Sequence, residues 1–203
     1  MKKIVISAVL ACLAMTVTGA HAGGNADAGK DLATTCLACH GETGNSMAPT
    51  FPNIAGQGEK YLLKQMQDIK SDARSVPTMA GLLDNMTDQD LADIAAYYAS
   101  QARSMGAAKE ELVDLGESIY RAGIPHKSIA ACTGCHAPSG NGNNPARFPA
   151  LAGQWPEYTV QQLKAFQSGE RHNDGDSQMM RGVARDMTER EMEAVASYIY
   201  GLK

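Results

Sequence analysis

At 203 residues the chain has room for two small domains or one medium one. Met1-Lys2-Lys3, an apolar run over 4–17 and Ala20-His21-Ala22 read as a signal peptide over residues 1–22, too short in its apolar part to span a bilayer. Removing Lys2 and Lys3 with it takes 18 Lys+Arg to 16 against 22 Asp+Glu, and this acidic balance argues against nucleic acid as a partner.

The leader holds one rival reading, Val9-Leu10-Ala11-Cys12 as a lipid-attachment site, but Ala20-His21-Ala22 is the better-placed cleavage site. No later stretch is apolar for long enough to cross a membrane. An exported, periplasmic protein is therefore expected, most simply a monomer; peripheral contact with a membrane is compatible with it. Residues 23–105 carry 6 basic and 10 acidic side chains, and residues 106–203 carry 10 and 12. The more negative first half would either steer the molecule towards a basic surface or serve only as a solvated face.

The elements follow one another twice, because the chain contains an internal repeat. A helix over 27–36 leads into Cys36-Leu37-Ala38-Cys39-His40, and one over 109–122 leads towards Cys132-Thr133-Gly134-Cys135-His136. The loop Phe51-Pro52-Asn53-Ile54-Ala55-Gly56-Gln57 recurs as Phe148-Pro149-Ala150-Leu151-Ala152-Gly153-Gln154. Apolar residues at helical spacing follow at 62–69 and at 160–166, where Tyr61 matches Tyr158 and Gln65 matches Gln162. Thr87 and Thr188 read as helix N-caps with Asp90 and Glu191 three residues on, and Met86 and Met187 sit where hydrophobic staples belong. The helices they open run to about Ser100 and Leu202. The stretches between are rich in Gly, Pro, Asn and Ser and read as loops, and nothing alternates as a strand would. The fold class is all-α, with two tandem domains over 23–103 and 104–203 joined between Gln101 and Ala108.

Without Cys12, four cysteines remain in two C-x-x-C-H motifs. In an oxidising compartment four cysteines suggest disulfides, but this spacing suits covalent haem better. The two thiols of each motif add across the vinyl groups of one haem, and the adjacent histidine offers an imidazole nitrogen to its iron. A thioredoxin-like pair would need strands, and a zinc site shared by both pairs would leave the histidines as coincidence. The cofactors expected are therefore two haem c groups, on Cys36, Cys39 and His40 and on Cys132, Cys135 and His136.

The sixth ligand decides function, since a methionine closes the iron for electron transfer and an open position allows catalysis. Met47, Met66, Met79 and Met86 are available in the first half, and Met179, Met180, Met187 and Met192 in the second. Met86 and Met187 have a packing task, Met66 has Leu163 as its repeat partner, and Met47 has none. Seven residues before the staples lie Met79 and Met180, both in loops, and these are the expected axial ligands. Met179 competes for the second haem. His126 and His172 have no counterparts and read as surface histidines.

With these motifs, the Tyr61–Lys70 helix, Asn173-Asp174-Gly175-Asp176 and Met180-Arg181-Gly182-Val183, each half resembles a class I cytochrome c. The whole of 24–203 resembles the dihaem cytochromes c4. The resemblance implies that the carbonyls of Pro52 and Pro149 accept the imidazole N–H of the haem-binding histidines. It implies Gly29 against Tyr97 and Gly116 against Tyr198, and two domains facing each other about a pseudo-twofold with haem propionates near the interface. Gly116 stands sixteen residues before Cys132 where Gly29 stands seven before Cys36, so the loop around Ile124-Pro125-His126-Lys127 is an insertion. The activity implied is electron transfer without substrate chemistry, between a quinol-oxidising complex and a terminal oxidase. The alternative is a dihaem enzyme, a peroxidase or sulfur-compound dehydrogenase, with one open axial position; a subunit held in a larger complex is a third reading.

Overall fold

The computed structural model describes residues 23–203. The signal peptide and the Cys12 alternative lie outside the described residues.

Three helix starts, those opened by Asn25, Thr87 and Thr188, are fixed by short-range side-chain caps. Asn25 caps α1 (Ala26–Leu32) through its side-chain oxygen, which accepts from the N–H groups of Asp27 and Ala28. A 3-10 turn (Ala33–Cys36) then leads into α2 (Leu37–His40). After the loop comes α3 (Glu59–Lys70), and Thr87 opens α4 (Asp88–Ala99) with a complete capping box to Asp90. The second half repeats the order with α5 (Glu110–Ala122), α6 (Thr133–His136), α7 (Pro156–Ser168), α8 (Met179–Ala184) and α9 (Glu189–Gly201). Thr188 and Glu191 form the capping box of α9. Among the described residues there is no strand, only two isolated bridges, Ile124 with Ile129 and Asn143 with Phe148.

In each half the last helix is the centre of the core. Leu91, Ile94, Ala95 and Tyr98 recur at helical spacing on α4, which packs against α1 and α3. Met192, Val195, Ala196 and Ile199 do the same on α9, which packs against α5 and α7. The inserted loop of the second half is no exposed appendage. Ile124 and Ile129 are buried in the core, and Lys127 pairs with Glu191 at 2.8 Å.

One expectation needs correcting. Met180 lies in a helix, α8, and not in a loop, while Met79 closes a 3-10 turn (Pro77–Met79). The repeat offset grows by four residues just before Met180, and that insertion carries Asp174. The Asp174 carboxylate accepts from both the backbone N–H and the Nε of Arg181, at 2.9 and 2.7 Å, and so secures the helix. Gly29 lies closest to the α4 backbone: a Cβ there would be 1.9 Å from the Asp93 carbonyl oxygen. Gly116 meets Tyr198, whose Cβ would be 2.7 Å away, but the Ala194 carbonyl oxygen would be nearer at 2.3 Å. In both halves the absent side chain lets the first helix cross the last at backbone distance.

Gly29→Ala should therefore lower the unfolding free energy by about 1–3 kcal/mol, the range for overpacking a close contact. Gly182→Ala, where an added Cβ meets nothing within 4 Å, is the control and should be neutral or slightly stabilising. Denaturant midpoints of the two variants check this.

Candidate haem sites

In each C-x-x-C-H motif the cysteines and the histidine occupy positions i, i+3 and i+4 across one turn of helix. That spacing gathers two thiols and an imidazole on one side. All four cysteines are free; Cys36, Cys39 and Cys132 are half-buried and Cys135 is exposed. Among the described residues no three His, Cys, Asp or Glu side chains converge, so the two cysteine pairs are not brought together as one ligand set. The absence of strands among the described residues removes the thioredoxin-like reading.

The histidines are the buried members of each motif. His40 Nδ1 lies 3.0 Å from the Pro52 carbonyl oxygen, and His136 Nδ1 lies 2.8 Å from that of Pro149. Nδ1 donates in each pair, so Nε2 carries the free lone pair and is the nitrogen available to a metal. Burial lowers the pKa of both rings, opposed by the bond to the proline carbonyl. An imidazole held neutral and in one tautomer is the form that binds iron. Phe51 and Phe148 flank the rings at centroid distances of 6.5 and 6.3 Å.

Burial also raises the thiols, Cys36 upwards and Cys132 to about 11, which keeps them protonated until they react. Beside Cys36 the Tyr98 hydroxyl is buried, and burial together with the neighbouring thiol pushes its pKa up. In the second half a tyrosine again sits near the first cysteine, but it comes from the first helix of that half. This is Tyr120, whose hydroxyl donates to the Ala137 carbonyl at 2.7 Å.

The methionines separate by exposure. Met79 and Met180 are half-buried, and Met180 packs against the second core. Met179 is 45% exposed and Met47 is 95% exposed. Met86 and Met66 pack against the first core, and Met187 and Met192 are buried within the second. His126 and His172 are exposed, as surface histidines should be.

Two groups of residues that the sequence did not single out complete the site. At the junction of the halves, Arg74 donates to Gln65, Tyr158 and Gln162. Arg171 donates to Gln162, Tyr61 and Gln65. Arg74 and Arg171 are repeat partners, so the cluster is reciprocal. Neither guanidinium has a carboxylate partner among the described residues. Burial pushes the Tyr61 hydroxyl up, but Arg171 and Arg74 outweigh it and hold the pKa below its ordinary value. The bonds of both guanidiniums go to neutral amide and hydroxyl oxygens, and, against burial, the nearby Asp68 carboxylate helps to raise the pKa of Arg74. The signal lay in the repeat, since Arg74 and Arg171 have the same offset of 97 as Tyr61 and Tyr158.

The second group is the pair of glutamines that ends the repeated loop. Ala150 N–H donates to Gln57 Oε1 at 2.7 Å, and Gln57 Nε2 donates to the Ala150 carbonyl at 2.9 Å. Asn53 N–H donates to Gln154 Oε1 at 2.9 Å, and Gln154 Nε2 donates to the Asn53 carbonyl at 2.8 Å. The exchange is mutual, and the two halves thus face each other about a pseudo-twofold. Because both glutamines are buried, removing either would leave backbone groups unpaired at about 1–3 kcal/mol each.

This donor set fits haem c: paired thiols, a neutral imidazole with a free Nε2, a buried tyrosine hydroxyl beside the first cysteine, and cations for carboxylates. Such an arrangement defines a tandem c-type haem protein. The cytochrome c family matches residues 26–102 and, a second time, residues 113–203. Cytochrome c4 of Pseudomonas aeruginosa is 51% identical over 203 residues, spanning the full length of both chains. Cytochrome c4 of Azotobacter vinelandii is 50% identical over 200 residues, or 94% of this chain and 95% of that one. The crystal structure of reduced recombinant cytochrome c4 from Pseudomonas stutzeri superposes with a TM-score of 0.87. It is 50% identical and covers 89% of this chain and 100% of that chain. The chain belongs to the cytochrome c family and, within it, to the dihaem cytochromes c4, electron-transfer proteins with two covalently bound haem c groups.

Cys132→Ala with Cys135→Ala should yield a protein that keeps one haem through acidic acetone extraction and loses the other. Mass spectrometry of the extracted chain reads this directly, against two haems retained by the wild type.

Proposed function

We propose that the protein is a periplasmic electron carrier, exported by a cleaved leader over 1–22, with one haem in residues 23–103 and one in 104–203. Cys36 and Cys39 hold the first haem and Cys132 and Cys135 the second. His40 and Met79 are the axial ligands of the first iron, and His136 and Met180 those of the second. The observation that carries this reading is the symmetry of the donor set. Each half supplies one buried histidine pinned by a proline carbonyl and one half-buried methionine at the matching place in the repeat. The exposure of Met179 and of Met47 argues against them as ligands.

A haem iron closed by histidine and methionine has a raised potential and passes single electrons without binding a substrate. The chain's own residues supply the rest. Pro52 and Pro149 orient the imidazoles, and Arg74 and Arg171 with Tyr61 and Tyr158 would hold propionate carboxylates at the junction. No described helix is long and apolar enough to cross a membrane, which agrees with a carrier that travels between complexes. The donor is a quinol-oxidising complex and the acceptor a terminal oxidase, approached through the more acidic first half. A dihaem enzyme would need one open iron, and the paired methionines weigh against it.

The test is the weak methionine-sulfur-to-iron band at the red end of the oxidised spectrum. Met79→Ala and Met180→Ala should each remove half of it, while Met179→Ala should leave it whole. A full band in Met180→Ala overturns that ligand. Separately, oxidase-containing membranes should reoxidise the reduced protein at a rate that falls as salt screens the acidic face. A rate indifferent to salt would remove the steering role.

A further inference from the structure

The glutamine bonds across the junction end on one particular residue in each half, Asn53 and Ala150. In the first half, the Pro52–Asn53 peptide accepts from His40 through its carbonyl and donates to Gln154 through its N–H. In the second, the Pro149–Ala150 peptide accepts from His136 and donates to Gln57 in the same way. Domain adhesion alone would be served by bonds to any backbone group. Here each glutamine's Oε1 takes the N–H of the one peptide that carries the opposite histidine's acceptor, and its Nε2 takes the carbonyl of the next.

A peptide is a conjugated unit, so a bond accepted from its N–H shifts electron density onto its carbonyl oxygen. The richer oxygen is the better acceptor for the imidazole N–H, and a more strongly held N–H makes the ring a more electron-donating ligand. Such a ligand favours ferric over ferrous iron. Gln57 and Gln154 are 7% and 9% exposed, so water neither competes for these bonds nor screens them. Each Oε1 is held in place by a second N–H, from Gly58 onto Gln57 and from Trp155 onto Gln154. With Nε2 committed to the facing carbonyl, the amide cannot turn over.

We propose that Gln57 and Gln154 are crosswise positioning residues, each lowering the reduction potential of the haem in the other half by polarising the peptide that holds that haem's histidine. The proposal rests on His40 and His136 as iron ligands. Its signature is that a substitution in one half moves the potential of the other.

The experiment is redox titration of the holoprotein, resolving the two haems by NMR, for Gln57→Met and Gln154→Met. Gln57→Met should raise the potential of the haem on His136 and leave the other unchanged; Gln154→Met should do the reverse. Exchange of the ring Nδ1–H with deuterium should quicken at the affected histidine alone. Gln57→Glu, whose protonated carboxyl can repeat both bonds, should restore the wild-type potential in mildly acidic buffer, and it serves if Gln57→Met does not mature. A shift in the variant's own haem, an equal shift in both, or none in either overturns the proposal. The ligand reading is judged apart from this. If the wild-type spectrum does not assign the iron-bound ring protons to His40 and His136, that reading fails whatever the variants do.

Discussion

The bond from each histidine Nδ1 to a proline carbonyl is the constraint on which the rest of the site is built. An imidazole on the last residue of a single helical turn can rotate, and a rotated ring presents no lone pair in a fixed direction. The carbonyls of Pro52 and Pro149 fix the tautomer and the plane, at 3.0 and 2.8 Å. For those carbonyls to be in place, the loop from Phe51 to Gln57 and its repeat must be held too. That is accomplished from across the junction, by Gln154 and Gln57. Ligand geometry in one half is therefore a property of both.

The junction is polar, which is unusual for two small domains with limited apolar content. The cause is visible in what faces it. Two arginines, two tyrosines and two glutamines, Gln65 and Gln162, satisfy one another once water is excluded, while Gln57 and Gln154 satisfy the facing backbone. Trp155 adds a bond from its indole Nε1 to the Ser46 carbonyl, and its ring stacks on Tyr200. Such a network loses more from one missing partner than a greasy contact would, because the remaining groups are left buried and unpaired.

What was legible in the sequence was whatever is decided locally or copied twice. Thr87 and Thr188 were readable as caps because a capping box needs only four consecutive residues. The two C-x-x-C-H motifs stand out because the chemistry proposed for them fixes their spacing. The helix at Met179–Ala184 was not, since six residues show no period and its start depends on the Asp174–Arg181 bond. The close approach at Gly29 was not legible, because it is between backbones, and no residue pattern reports it. The roles of Gln57, Arg74 and their partners depend on how the halves meet, although their common repeat offset hinted that they belong together.

The start of α3 carries one more implication. Gly58 offers no side-chain cap, and the Lys60 N–H is instead capped by Asn144 Oδ1 from the other half, at 3.0 Å. The first half thus borrows a helix terminus from the second, as well as the brace on its proline loop. Each half completes contacts that the other leaves open. Their contacts have the form of an isologous dimer interface, in which the same patch meets itself, now written on one chain. The link between the halves replaces a bimolecular association by a permanent one, and loss of either half would leave its neighbour with an open seam.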